Sequence, residues 1–316
     1  MTKIDIISGF LGAGKTTLIK KILIENPYNE KIAIIENEFG EIGIDGTLLK
    51  RDGIVVREIF SGCICCTLAD NFEKSLDQVI KQFNPDRVII EPTGIAKLPD
   101  VLKNCRKALK RENVGIGICL TVVNMLNYRM FMQNWREFFQ SQIKYTGAVI
   151  LSRTQKTGPD LIEEVTREIR SISPKVKIIT TPWDLIDAKT ILLASENDSS
   201  LSLVSRMEQE MHGHTLQCRH HEHNHDAVDL LEAWGMETPR AFSETYIRNA
   251  LQELKNQVYG KVIRSKGIIF LDTGKWMQFD FVTGEIDMRA ADPDYTGRIC
   301  VIGDKLNKPA LNKLFG

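Results

Sequence analysis

The 316-residue sequence lacks an excess of charge of either sign, because 41 basic residues balance 41 acidic residues. A chain without a net positive charge has no general electrostatic attraction to nucleic acid or to an anionic membrane surface. We therefore expect neither nucleic acid nor a membrane among its partners.

Long apolar runs are also lacking, and none approaches the roughly 20 residues that a membrane-spanning helix needs. The chain enters an apolar strand at once, without the basic and apolar regions of a secretory signal. These absences predict a cytoplasmic protein. In a reducing compartment the seven cysteines are not expected to form a disulfide framework.

What the sequence does contain is a phosphate-binding pattern at residues 9–16, GFLGAGKT, which satisfies G-x-x-x-x-G-K-[ST]. An apolar strand with Ile4, Ile6 and Ile7 precedes it, and a helical stretch follows it. Glycines in such a loop let backbone N–H groups face phosphate oxygens at a helix N-terminus. The alternative, a glycine-rich turn without a ligand, does not explain the lysine. The predicted nucleotide-binding residues here are Gly12, Ala13, Gly14, Lys15, Thr16 and Thr17.

Strand-like and helix-like patterns alternate over residues 1–195, which predicts an α/β P-loop NTPase domain with a mostly parallel sheet. Residues 196–240 contain all six histidines and are predicted to be a His-rich linker. Residues 241–316 combine a helix, a hairpin signal, a third strand and a short last helix, which predicts a small α+β C-terminal domain.

Carboxylates follow two of the predicted strands. Glu91 comes directly after an apolar strand, where it would hold Mg²⁺ or its waters together with the hydroxyl of Thr16; the alternative is a salt bridge at the strand end. Residues 36–46 form an acidic loop whose glutamates either help to bind a metal or are simply solvated. Asp45 in this loop is expected near Mg²⁺ and the attacking water.

Cys63, Cys65 and Cys66 form a Cys-x-Cys-Cys motif. Thiolates this close suit a soft or borderline cation such as Zn²⁺, Cu⁺ or Co²⁺, and the alternative is a turn with incidental buried cysteines. Cys105 and Cys119 lie in apolar patterns and are expected in the core.

The histidines of the predicted linker lie in a polar segment, where neutral imidazoles would bind Zn²⁺, Ni²⁺ or Co²⁺ weakly. The alternative is a solvated linker of accidental composition. The predicted weak ligands are His212, His214, His220, His221, His223 and His225.

Four motifs in order closely resemble those of the CobW-type GTPases: residues 9–17, ENEFGE at 36–41, GCICC at 62–66 and EPTG at 91–94. The resemblance covers essentially the whole chain. It implies Mg²⁺-dependent GTP hydrolysis coupled to delivery of a metal, often zinc, to a client metalloprotein or a cofactor-synthesis enzyme. It favours Glu36 and Glu41 as metal ligands beside the cysteines, and a nucleotide-dependent homodimer is a further expectation. Lys15, Glu91 and Asp45 are the expected catalytic residues.

One departure from this family affects base recognition. Where relatives carry Asn-Lys-x-Asp, this chain has Ser152, Arg153, Thr154 and Gln155. The carboxylate that pairs with guanine is replaced by a neutral amide, a difference of about 1 kcal/mol or more. Ser152, Arg153 and Gln155 are still the predicted nucleotide contacts at this position, and ATP is kept as an alternative to GTP.

Two other functions are weighed against the metallochaperone. A metal buffer with a regulatory nucleotide site would bind metal independently of the nucleotide. An ATP-dependent P-loop enzyme such as a small-molecule kinase would leave the cysteines without a role. No arginine finger can be identified from the sequence, so slow intrinsic hydrolysis is expected.

Overall fold

A computed structural model describes residues 1–36, 54–58, 69–94, 96–109, 113–196, 231–283 and 285–316. These residues divide into two compact units, residues 1–196 and residues 231–316. Each unit is described by itself.

Seven strands and seven helices make up the described part of the first unit. The strands are β1 (Thr2–Gly9), β2 (Ile32–Glu36), β3 (Ile54–Glu58), β4 (Arg87–Glu91), β5 (Val114–Asn124), β6 (Ala148–Ser152) and β7 (Lys177–Ile179). The helices are α1 (Lys15–Glu25), α2 (Ala69–Phe83), α3 (Leu98–Leu109), α4 (Tyr128–Asn134), α5 (Arg136–Lys144), α6 (Pro159–Ile172) and α7 (Ala188–Ser195).

The strands form one sheet in the order β3-β2-β4-β1-β5-β6-β7, and every pairing in it is parallel. Alternate strand residues pack on opposite faces. Ile7 of β1 packs with α1 and α7, whereas Ile4 and Ile6 pack with α2 and α3. The predicted α/β fold with helices on both faces is confirmed. All strand carboxyl ends consequently lie along one edge, where open α/β sheets bind their ligands.

A buried ion-pair network lies away from that edge. Arg87, the first residue of β4, bonds to the carboxylates of Asp5 and Glu30. Asp5 also accepts the N–H of Ile118 at 3.0 Å. Burial raises the pKa of Asp5, and the nearby Arg87 partly offsets this. The network links β1, β4 and β5 by polar contacts, in addition to the apolar packing between these strands.

The second unit contains β8 (Leu231–Thr238), β9 (Ala241–Phe242), β10 (Lys261–Leu271), β11 (Trp276–Val282), β12 (Glu285–Ala290), β13 (Gly297–Asp304), α8 (Glu244–Glu253) and α9 (Lys308–Phe315). The sheet order is β12-β11-β10-β13-β8, with antiparallel pairing along this path, and β9 pairs parallel to β10. Apolar residues of both helices pack on Phe279, Phe281 and Val301. The predicted α+β architecture is confirmed, including the hairpin between β10 and β11.

β8 corrects the predicted linker. Residues 231–238 pair with β13, although the sequence places them within the linker of residues 196–240. β8 is at the end of the described sheet order, and its exposed Glu232 and Glu237 make the segment look polar. An edge strand therefore resembled a linker.

In the part of the chain that the structure describes, no helix is long and apolar enough to cross a membrane.

Candidate nucleotide-binding site

The P-loop leaves the carboxyl end of β1 and leads into α1. Gly14, the N-cap of α1, has φ 104°, which lies in the left-handed region that glycine tolerates. The unpaired backbone N–H groups at the N-terminus of such a helix are a ready binding site for phosphate oxygens. The strand, loop and helix predicted from the sequence are all present.

Lys15 and Thr16 begin the helix and have different partners. Lys15 is buried, and its Nζ donates to the carbonyl oxygen of Gly9 at 3.1 Å. The ammonium group of Lys15 therefore lies within the P-loop, next to the position expected for a bound phosphate. Thr16 Oγ1 lies 3.1 Å and 3.2 Å from the two carboxylate oxygens of Glu91, at the end of β4. The structure thus brings together the hydroxyl and the carboxylate that were predicted to share Mg²⁺.

The first half of the P-loop is tightly packed. The Phe10 ring centroid lies 4.3 Å from that of Phe131 and 5.5 Å from that of Trp135, in an aromatic cluster with α4 and α5. A Cβ atom on Gly94 would lie 2.6 Å from the backbone nitrogen of Leu11 and 2.8 Å from its Cα. Gly94 therefore lets the segment after β4 pass directly against the loop. This role of Gly94, the last residue of the EPTG motif, was not predicted from the sequence.

The second half of the loop is held by β6. Ser152, its last residue, is buried, and its hydroxyl lies 2.7 Å from the carbonyl oxygen of Ala13 and 3.4 Å from that of Val123. Arg153 has φ 62° and directs Nη1 to the same Ala13 oxygen at 3.4 Å. Ser152 and Arg153, two of the three nucleotide contacts predicted at this position, thus contact the P-loop. Gln155 is exposed, as is Thr17.

Trp183 is a site residue that no sequence motif identifies. It follows β7, and Cη2 of its ring lies 2.9 Å from the position of a Cβ atom on Gly14. The indole is partly buried and packs against the core beneath α1. Its position in the turn that follows β7, four residues after Ile179, was the available signal. The other three tryptophans contact aromatic rings: Trp135 contacts Phe10, Trp234 contacts Phe315 and Trp276 contacts Phe270.

Several buried polar atoms at this edge have no hydrogen-bond partner within the described ranges. They are the hydroxyls of Ser8, Thr93 and Thr154, the amide nitrogen of Asn124 and the indole nitrogen of Trp183. They belong to the ends of β1, β4, β5, β6 and β7 or to the residues just after them. Buried polar groups are normally paired, so these five atoms along one edge are consistent with a polar ligand site there.

The two sides of the P-loop differ in charge. On the side of β4, β2 and β3, Glu91 pairs in register with Glu36, and Glu36 with Glu58. On the side of β5, β6 and β7, the corresponding strand ends carry Asn124, Ser152 and Arg153, and Trp183 follows. The carboxylate of Glu91 favours a cation on the first side, whereas the second side offers neutral, basic and aromatic groups.

Most predicted metal ligands lie outside the described residues. These are Glu41, Cys63, Cys65, Cys66 and the six histidines, so their roles stay predictions; Glu36 is placed by its backbone alone. Asp45, predicted as a catalytic residue, also lies outside the described residues. In the described part of the chain, no three His, Cys, Asp or Glu residues form a metal-binding group.

Cys105 and Cys119 are buried in the core, as predicted. Burial raises the pKa of the Cys119 thiol to about 12 and raises that of Cys105 as well. Burial therefore disfavours the thiolate form of both residues.

Residues 3–180 match the family model of the CobW/HypB/UreG nucleotide-binding domain, and residues 231–316 match that of the cobalamin synthesis protein cobW C-terminal domain. The chain belongs to the CobW family. Its P-loop and strand-end carboxylate lie within the first match.

Curated relatives include the zinc chaperone YeiR of Escherichia coli, which is 32% identical over 204 residues. That match covers 64% of this chain and 61% of YeiR. The zinc-regulated GTPase metalloprotein activator 1 of Schizosaccharomyces pombe is 27% identical, covering 88% of this chain and 74% of that protein. The zinc chaperone CobW of Pseudomonas aeruginosa is also 27% identical, over 98% of this chain and 89% of its own length.

Among solved structures, the Zn(II)-bound YjiA GTPase from E. coli is similar to this chain, with a TM-score of 0.47 and 20% identity. The alignment covers 99% of this chain and 98% of YjiA.

Proposed function

We propose that this chain hydrolyses GTP and couples hydrolysis to the binding and delivery of a transition metal, zinc foremost, to a client metalloprotein or cofactor-synthesis enzyme. The observation that carries the nucleotide half is the contact of Thr16 with Glu91 beside the buried Lys15. Membership of the CobW family, with relatives named as zinc chaperones and as a zinc-regulated GTPase, supports the metal half.

The phosphate chain is assigned to the N-terminus of α1. Backbone N–H groups of the glycine-rich loop would bind the phosphate oxygens, and the Lys15 ammonium would replace its bond to Gly9 with bonds to the β- and γ-phosphates. Phe10, Gly94 and Ser152 hold the loop from three directions, so its donors are oriented before substrate arrives. Such preorganisation is what electrostatic stabilisation of a phosphoryl transition state requires.

The same residues fit Mg²⁺. A hydroxyl and a carboxylate are the hard oxygen donors that Mg²⁺ prefers, and here they already lie within hydrogen-bond distance of each other. Thr16 and Glu91 would hold the ion or its waters. Bound there, Mg²⁺ would neutralise charge developing on the β- and γ-phosphate oxygens.

The zinc cargo is assigned to Cys63, Cys65 and Cys66, with Glu36 and Glu41. The three cysteines belong to the connection between Glu58, the end of β3, and Ala69, the start of α2. Glu58 is two strands away from Glu91 at the same register, about 10 Å at the usual strand spacing. The connection therefore leaves the sheet close to the proposed magnesium site, on its acidic side.

Variants that separate the two halves test the proposal. The parent should bind one zinc ion tightly and hydrolyse GTP slowly. Lys15→Ala should lose hydrolysis and keep the tight zinc, whereas Cys65→Ala should lose the tight zinc and keep hydrolysis. Equal turnover by Lys15→Ala would refute the P-loop assignment, and unchanged zinc affinity in Cys65→Ala would refute the cysteine site.

A further inference from the structure

We propose that Gln142 is a positioning residue, which holds the segment after β4 against the P-loop and so supports binding of a nucleoside triphosphate more than binding of a diphosphate. The inference rests on the proposed function only in that the terminal phosphate and its cation bind on the side of Glu91. Gln142 is fully buried in α5, so it acts through the residues that it contacts.

The side chain of Gln142 reaches from α5 to the segment after β4. It is 0% exposed, and its Nε2 donates to the carbonyl oxygen of Ala96 at 3.3 Å. Its Oε1 is buried and has no hydrogen-bond partner among the described residues. Burying an amide whose oxygen is unpaired costs free energy, so packing alone does not account for a glutamine at this position.

The backbone of Gln142 is anchored as well. The last carbonyl groups of a helix have no partner within the helix, and Gln142 lies in the last turn of α5. The hydroxyl of Thr121, a buried residue of β5, donates to the carbonyl oxygen of Gln142 at 3.0 Å. This bond fixes the end of α5 to the sheet, so the amide that holds Ala96 extends from a fixed backbone.

Ala96 passes this restraint on to the P-loop. Its N–H donates to the carbonyl oxygen of Thr93 at 3.0 Å. Gly94 follows Thr93 and lies so close to Leu11 that an added Cβ atom would be 2.6 Å from the Leu11 nitrogen. A continuous series of contacts therefore leads from Gln142 to the first half of the P-loop.

The same helix also contacts the P-loop directly. The ring centroids of Phe138 and Phe139 lie 5.6 Å and 6.5 Å from that of Phe10. Helix α5 therefore contacts the loop through its aromatic side chains and the segment after β4 through Gln142. Because one helix holds both, it fixes their relative position. Loss of the Gln142 amide would remove only the second of these two restraints.

The segment that Gln142 holds lies on the side proposed for the terminal phosphate. It begins directly after Glu91, whose carboxylate meets Thr16 at the proposed magnesium site. The second half of the P-loop, which leads into α1, is held by the bond from Ser152 to Ala13 and does not depend on Gln142. A change at Gln142 should therefore affect a triphosphate more than a diphosphate.

The test measures the dissociation constants of the full chain, with Mg²⁺, for GDP and for a non-hydrolysable GTP analogue. Gln142→Met keeps the length of the side chain but removes the donor. It should weaken binding of the analogue by about three- to tenfold, the effect of one net hydrogen bond, and binding of GDP by less than about twofold. Ser141→Ala is the matched control, because the Ser141 hydroxyl donates within α5 to the Phe138 carbonyl at 2.7 Å; both constants should stay unchanged.

Two variants of Thr121 test the same restraint without altering Gln142. Thr121→Val removes the hydroxyl that anchors the Gln142 carbonyl and should shift the ratio of the two dissociation constants in the same direction. Thr121→Ser retains a hydroxyl and should preserve the ratio. A merely structural role would lower the denaturant concentration at half-unfolding without changing this ratio. An equal loss of affinity for both nucleotides, or no loss for either, would overturn the inference.

This measurement does not depend on hydrolysis. A shifted ratio in a chain that does not hydrolyse GTP would refute the proposed function and support the inference. An unshifted ratio in a chain that couples GTP hydrolysis to zinc binding would do the reverse.

Discussion

Substitution of Gly94 by alanine should disable the P-loop by displacing its backbone, without removing any side chain of the site. The new methyl carbon would lie 2.6 Å from the nitrogen of Leu11 and 2.8 Å from its Cα and Cδ2. Two of these three atoms belong to the backbone, so rotation of a side chain cannot relieve the clash. The loop itself has to move.

The magnitude follows from what holds the loop in place. Phe10, next to Leu11, is 1% exposed within its aromatic cluster, so the movement disturbs a packed core. Overpacking of this kind costs about 1–3 kcal/mol. In a unit of this size that corresponds to a decrease in Tm of about 2–4 °C per kcal/mol. Nucleotide affinity should fall as well, because the N–H groups that face phosphate shift with the loop.

Denaturant unfolding and nucleotide titration of the same variant would measure both effects. Gly235→Ala is the control, because the nearest atom to its new Cβ lies 3.8 Å away, an ordinary contact. There we expect unchanged nucleotide affinity and a small gain in stability, about 0.4–1 kcal/mol. If Gly94→Ala bound GTP as tightly as the parent and unfolded at the same denaturant concentration, the close packing on Leu11 would not matter for the site.

Three other variants test separate parts of the structure. Glu91→Gln should raise the Mg²⁺ concentration that gives half-maximal hydrolysis by about tenfold, since a neutral amide replaces an ionised ligand; an unchanged Mg²⁺ requirement would remove Glu91 from the site. Gln155→Asp should raise the ratio of GTP to ATP affinity about tenfold, and an unchanged ratio would place residue 155 away from the base. Arg87→Met should lower the free energy of unfolding by about 3–5 kcal/mol by leaving Asp5 buried without its cation. Because burial raises the pKa of Asp5 above 3.8, the stability of that variant should fall as pH rises above this value, and a loss that is the same at every pH would contradict the assignment.

The parts of the fold that were predictable are those with local signals. The P-loop pattern, the apolar strands of the first unit and the hairpin between β10 and β11 each depend on neighbouring residues, and the structure contains them. β8 was missed because an edge strand exposes polar residues such as Glu232 and Glu237. Its pairing with β13 depends on residues far along the chain.

The residues of the site divide in the same way, into those that local sequence identifies and those whose role depends on distant contacts. Lys15, Thr16 and Glu91 were predictable because motif spacing and strand ends identify them. The roles of Gly94 and Trp183 depend on contacts with Leu11 and Gly14, which lie more than 80 and more than 160 residues away in sequence. No local pattern encodes such contacts. Ser152 was predicted to bind nucleotide, but its described partner is the loop carbonyl of Ala13.

The central claim, that nucleotide state controls metal affinity, is tested most directly by titrating zinc into the GTP-analogue and GDP states of the parent and of Cys65→Ala. A loop ordered by γ-phosphate and Mg²⁺ is a two-state element, and ligands bound to it are linked. The account predicts that zinc affinity in the parent differs between the two states by about five- to a hundredfold, with the same factor in the effect of zinc on nucleotide affinity. Cys65→Ala should abolish the difference. Equal zinc affinities in the two states of the parent would contradict the account.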